Sequence, residues 1–182
     1  MSKTIKSFAK GQMPRTIDDL VTLRERICKG HTLEKIQKKG SPAVFTVHVG
    51  GEMIEYWQDG GWANVIEHYF ELFPHIPDAL NELGLRETGD AFQSILSIFP
   101  EFPEFDEDDI YDVMTFLTNH RLEVFDDRLK RYSREKRIEM SKAFRETLER
   151  LDDLSERDWG YRSPREGWEG LLRYVERNFE AG

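Results

Sequence analysis

Trp62, Ile66, Tyr69, Phe70 and Phe73 recur at i, i+4, i+7, i+8 and i+11. That 3.6-residue period lines one side of a helix and cannot be laid on one face of a strand. The same period returns along most of the chain. Ile17, Leu20, Val21 and Ile27 follow a Thr16-Ile-Asp-Asp19 start that reads as an N-cap with acids in the first turn, and Gly30 ends the run. A shorter piece spans Thr32 to Lys39. Further on, Pro77 to Leu83 reads as a helix with Gly84 at its C-cap, and Asp90 to Phe99 as another carrying Phe92, Ile95, Leu96 and Phe99. Asp108 to about Tyr132 reads as one long helix or two, and Ser133 to Leu154 as a highly charged one with Ile138, Met140, Phe144, Leu148 and Leu151 inward. After a loop at Asp158-Trp-Gly-Tyr161, Ser163-Pro-Arg-Glu166 combines a capping box with proline at the first helical position. Trp168, Leu171, Leu172, Val175 and Phe179 line the helix that follows.

One stretch departs from the pattern. Val44-Phe-Thr-Val-His-Val49, Gly50-Gly51 and Glu52-Met-Ile-Glu-Tyr-Trp57 carry the local signature of a β-hairpin with a two-residue glycine turn, helix being the alternative for Glu52–Gln58. The expected class is therefore mainly α, a compact multi-helix domain with a short hairpin near 44–57. A chain of 182 residues buries about 70% of its unfolded surface and needs no disulfide or metal staple.

Charge divides the chain unevenly. Residues 1–40 hold ten bases and four acids, residues 41–120 hold sixteen acids against the single base Arg86, and residues 121–182 hold fifteen of each. The organisation read from this is a basic N-terminal helical segment, 1–42, followed by an acidic helical domain, 43–182. Such a centre repels nucleic acid and anionic lipid and attracts cationic surfaces. Direct DNA binding and membrane association are not expected, and no apolar stretch reaches the 18 residues of a membrane span. A single cysteine, Cys28, and a start without an apolar leader block fit a cytoplasmic protein.

The densest acid is Glu101, Glu104, Asp106, Glu107, Asp108, Asp109 and Asp112, interleaved with Phe102, Phe105 and Tyr111. Acids at a helix N-terminus are favoured by the macrodipole, which accounts for Glu107, Asp108 and Asp109 but not for Glu101 and Glu104. These seven are the candidate partner-binding residues. An EF-hand does not fit, because the sixth position counted from Asp106 is Tyr111 rather than glycine. No phosphate-cradling or nucleophile-elbow motif is present. His31, His48, His68, His75 and His120 form no H-E-x-x-H or E-x-x-H pair, and Cys28 reads as a small apolar filler whose nearest histidine, His31, lies past Gly30. No catalytic residue, metal ligand or cofactor is expected.

Glu55-Tyr-Trp-Gln-Asp-Gly-Gly-Trp62 resembles the E-V-x-N-G-G-aromatic motif of a bacterial helical family of unknown function typified by a DNA-mimic protein. Ala79-Leu-Asn-Glu-Leu-Gly84, Ala91-Phe92, Phe99-Pro100, Leu151-Asp-Asp-Leu154 and Leu172-Arg-Tyr-Val-Glu-Arg-Asn178 resemble its later landmarks in the same order. Asp59 stands where the family usually has Asn, and residues 1–50 have no counterpart. The resemblance implies a helical domain without catalytic residues, in which Gly60, Gly61 and Trp62 are structural. It also implies a partner of the type that the DNA mimic occupies, the DNA-binding surface of a transcription regulator, or the toxin of an immunity pair. The expected function is thus a non-enzymatic, acidic protein-binding module with a basic protein partner, a small hydrolase being the enzymatic alternative. A homodimer stays open.

Overall fold

The computed structural model describes residues 2–68, 70–98, 101, 108, 113–116, 127–159 and 166–180. Its helices are α1 (Ile5–Phe8), α2 (Ile17–Cys28), α3 (Leu33–Lys39), α4 (Pro42–His68), a 3-10 turn (Phe70–His75), α5 (Ile76–Glu82), α6 (Arg86–Ile98), α7 (Asp127–Lys130), α8 (Arg134–Trp159) and α9 (Glu166–Asn178). Asp108 and residues 113–116 are also helical. Among the described residues there is no strand, only an isolated bridge between Lys3 and Gly40.

The hairpin expected over 44–57 is not formed; those residues run through α4. Alternation there is spurious because both sides are covered: Thr46, Val47, His48, Val49, Gly50 and Gly51 are buried in succession. A helix that is apolar all round belongs in the interior, and a short apolar run fits either period. The glycines serve close approach instead of a turn. A Cβ on Gly50 would stand 3.3 Å from Leu171 Cδ1 of α9, and one on Gly51 would stand 2.7 Å from Arg24 Cδ of α2. The missing side chains let α2 and α9 close on α4.

α4 is the hub, touching α2, α3, the 3-10 turn, α5, α8 and α9. The N-terminal segment joins the same apolar cluster through Ile5, Ala9, Leu20, Leu23, Ile27 and Ile36. Thr16 starts α2 through a reciprocal capping box: its hydroxyl accepts from the Asp19 N–H at 3.1 Å while Asp19 Oδ2 accepts from the Thr16 N–H at 3.1 Å.

α4 is interrupted at Gly60 (φ −154°, ψ 19°) and Gly61 (φ 72°, ψ −166°), the latter in a region open essentially to glycine alone. The break turns Trp62 into the core, where it stacks on Trp159 at 5.8 Å. Trp62 Nε1 donates to Ser155 Oγ at 2.7 Å and to the Leu151 carbonyl at 3.1 Å. Asn64 Nδ2 closes the break by donating to the Tyr56 carbonyl at 2.8 Å.

Three boundaries differ from expectation, the first being the helix of the Trp62 stripe, which ends at His68 and is followed by the 3-10 turn over Phe70–His75. α8 continues to Trp159, so Asp158 and Trp159 are helical rather than part of a loop, held by burial of the Trp159 ring between Trp57 and Trp62. α6 begins at Arg86, four residues before Asp90. Ile138, expected inward, is 47% exposed. The Ser163–Arg165 part of the expected capping box lies outside the described residues.

Candidate functional site

Of the seven candidate acids, Glu101 and Asp108 are described, and Glu104, Asp106, Glu107, Asp109 and Asp112 lie outside the described residues. Asp108 is exposed on a helix. Glu101 is turned toward the protein: it pairs with Arg131, and the Tyr132 hydroxyl donates to its Oε1 at 3.3 Å. Arginines from outside the acidic block also meet Glu52 and Glu55 (Arg24) and Glu87 (Arg157, 3.2 Å). Asp59, Glu71, Asp78 and Asp90 are exposed and have no ion pair to a described residue.

Asp78 and Glu82 sit one turn apart on α5, at the edge of a cleft of about 630 Å³ between α4, α5 and α9. Phe45, Thr46, His75 and Tyr174 also line it. The Phe45 and His75 rings meet edge to face at 4.9 Å. Burial pushes the Tyr174 phenol up, with Thr46 acting to lower it and Glu82 to raise it further. Burial holds the His75 imidazole below its usual value, with Asp78 opposing. The cleft therefore offers an aromatic wall and two carboxylates.

A second polar cluster lies between α2 and α4. Cys28 ends α2, and His48 and Glu52 occupy successive turns on one side of α4. Cys28 Sγ is 3.3 Å from His48 Nδ1 and 3.7 Å from Glu52 Oε1, and those two atoms are 3.8 Å apart. Arg24 lies beside them: its Nε is 3.8 Å from Glu52 Oε1, while its Nη1 pairs with Glu55 and donates to the Gly51 carbonyl at 3.3 Å. Its guanidinium also rests over the Trp168 ring at 5.7 Å. Burial first, and Glu52 second, push the Cys28 thiol up to about 11. Burial holds His48 below its usual value, although Glu52 pulls the other way.

This is not a nucleophile–base–orienter chain, in which thiol and carboxylate use different ring nitrogens. Here both face Nδ1. Among the described residues these three form the one set of histidine, cysteine and carboxylate donors that converge closely enough to share a cation. Sequence reasoning missed the set because a hairpin separates His48 from Glu52 by its turn. The signal that finds it is the i,i+4 pair H-x-x-x-E once 44–57 is read as helix. Cys28 meets His48 and not His31, whose Nδ1 lies 3.1 Å from the Gly30 carbonyl oxygen.

The chain matches no protein-family model, no curated protein and no solved structure.

Proposed function

We propose that this protein is a non-enzymatic binding module whose carboxylate face receives the basic surface of a protein partner, in the manner of a DNA mimic. The observation that carries the reading is the pair Asp78 and Glu82 at the mouth of the α4–α5–α9 cleft, within a block of residues 41–120 whose only base is Arg86. Asp59, Glu71, Asp90 and Asp108 extend the exposed negative charge. A lysine or arginine shaped for phosphate finds carboxylates as substitutes, and the cleft accommodates its aliphatic stem. Long-range attraction speeds encounter and discriminates against acidic partners. The partner is a nucleic-acid-binding regulator or a nuclease-like toxin, since both carry surfaces built for phosphate.

The test is capture on the immobilised protein from extract of its own cells, followed by elution with duplex DNA. A captured protein that is released by DNA and by salt, and that is lost when Asp78→Asn, Glu82→Gln and Asp90→Asn are combined, supports the reading. Capture unchanged by that neutralisation sinks it. Operator binding by the captured protein marks a regulator, and DNA cleavage marks a toxin.

A further inference from the structure

We propose that Cys28, His48 and Glu52 form a binding site for one Zn²⁺ ion that ties the end of α2 to the middle of α4. The inference is independent of the acidic-face reading and concerns a different kind of ligand, a borderline-soft metal ion at a half-buried site.

The geometry is the first argument. Zinc binds thiolate at about 2.3 Å and imidazole nitrogen or carboxylate oxygen at about 2.0–2.1 Å in tetrahedral sites, which spaces the donors about 3.3–3.6 Å from one another. The three separations here are 3.3, 3.7 and 3.8 Å. Each edge is within a few tenths of an ångström of the coordinated value before any ion draws the donors in. Two of them lie one turn apart on a single helix, so their relative placement is fixed by the backbone. The third closes the set from a neighbouring helix.

Charge is the second. With Cys28 as a thiol, the formal charges facing the site are Glu52, Glu55 and Arg24, one net negative. Replacing the thiol proton by Zn²⁺ leaves a thiolate, two carboxylates, one guanidinium and one dication, which sum to zero. Arg24 does not occupy the cation's place. Its Nη1 is committed to Glu55 and to the Gly51 carbonyl, and its Nε stays 3.8 Å from Glu52.

Donor chemistry is the third. Thiolate with imidazole selects zinc over the hard cations magnesium and calcium, which prefer all-oxygen sites. Zn²⁺ replaces the proton of the Cys28 thiol, which passes to solvent, so binding releases a proton. Cys28 is partly exposed, and water can complete a fourth position.

The experiment titrates chelator-stripped full-length protein with Zn²⁺ and with Co²⁺ as a coloured reporter. One equivalent of Co²⁺ per chain should produce the near-ultraviolet thiolate-to-cobalt band and the strong visible bands of a four-coordinate ion. Cys28→Ser should abolish the near-ultraviolet band with helical circular dichroism unchanged, and Glu52→Gln should weaken Zn²⁺ binding at least about tenfold. Zn²⁺ should also raise the thermal midpoint of the wild-type protein and leave that of Cys28→Ser unmoved. No binding at one equivalent near neutral pH overturns the proposal. Equal binding by Cys28→Ser and Glu52→Gln overturns it too, because the ion then sits elsewhere on the acidic surface. Should Cys28→Ser fail to fold, proton release decides on the wild-type chain: about one proton per Zn²⁺ bound supports the site, and none refutes it.

Discussion

Arg24 donates to the carbonyl oxygen of Gly51 at 3.3 Å, and its Cδ stands 2.7 Å from where a Cβ on that glycine would be. The same guanidinium pairs with Glu55 and covers Trp168, so the side chain cannot swing aside without losing these contacts. Alanine gains about 1 kcal/mol over glycine in a helix interior, but overpacking costs about 1–3 kcal/mol. Gly51→Ala should therefore lower the urea midpoint. Gly50→Ala meets only the methyl ends of Leu171 and Leu83, at 3.3 and 3.4 Å, and should be milder. The reverse order in chemical denaturation would show that Arg24 is not held.

Trp62 has two acceptors for one N–H, Ser155 Oγ and the Leu151 carbonyl. Ser155→Ala leaves the second in place and should cost about 1 kcal/mol, the net worth of an ordinary hydrogen bond. Trp62→Ala empties a fully enclosed space beside Phe92 and Trp159 and should cost about 3–5 kcal/mol. Urea unfolding of both variants measures the gap, which would close if the hydrogen bonds rather than ring burial held the tryptophan.

Most helices were legible because their signals are local. Thr16 is the expected N-cap, to which Asp19 adds a reciprocal capping box, Gly30 and Gly84 follow helices with positive φ, and the stripe of Phe92 and Ile95 is buried. The stretch 44–57 misleads because its glycines and β-branched residues mimic a turn between strands. What decides the matter is tertiary: Leu171, Leu83 and Arg24, all distant in sequence, fill the space that Gly50 and Gly51 leave. The Cys28–His48–Glu52 set was hidden for the same reason, since strand geometry places His48 and Glu52 on opposite sides of a turn. Charge counting finds the acidic block but not its partial cancellation, because Arg24, Arg131 and Arg157 come from segments outside it.

Gly61 discriminates between two kinds of positive-φ position. At φ 72° and ψ −166° it lies outside the left-handed helical basin where asparagine is tolerated. Gly61→Asn should accordingly be no better than Gly61→Ala, each losing about 1–3 kcal/mol. No Cβ clash contributes, as nothing stands within 4 Å of that position. Thermal melts that show asparagine rescuing the loss would place the strain elsewhere.

Two histidines make the protein acid-sensitive. Burial holds both His48 and His75 below their unfolded value of about 6.5. Below that value the unfolded chain binds more protons than the folded one, so the stability these groups supply is present above it and is lost as pH falls. The thermal midpoint of the metal-free protein should drop between about pH 7.5 and 5.5. His75→Asn, on the cleft side of α5, should flatten part of that slope. A slope identical to wild type would mean that His75 ionises freely in the fold.

Cys28 should be a sluggish nucleophile when no metal is present. Its thiol is pushed up to about 11, first by burial and then by the negative charge of Glu52, with Arg24 only partly compensating. At pH 8 the thiolate fraction is then smaller, on the order of a hundredfold, than that of an ordinary cysteine near 8.5. Iodoacetamide should modify Cys28 in the folded protein that much more slowly than in a denatured control. Glu52→Gln removes the second cause and should speed the reaction, whereas Arg24→Gln removes the compensating charge and should slow it. Rates insensitive to both substitutions would leave burial alone as the cause, and a wild-type rate equal to that of the denatured chain would contradict the buried, acid-flanked placement of the thiol.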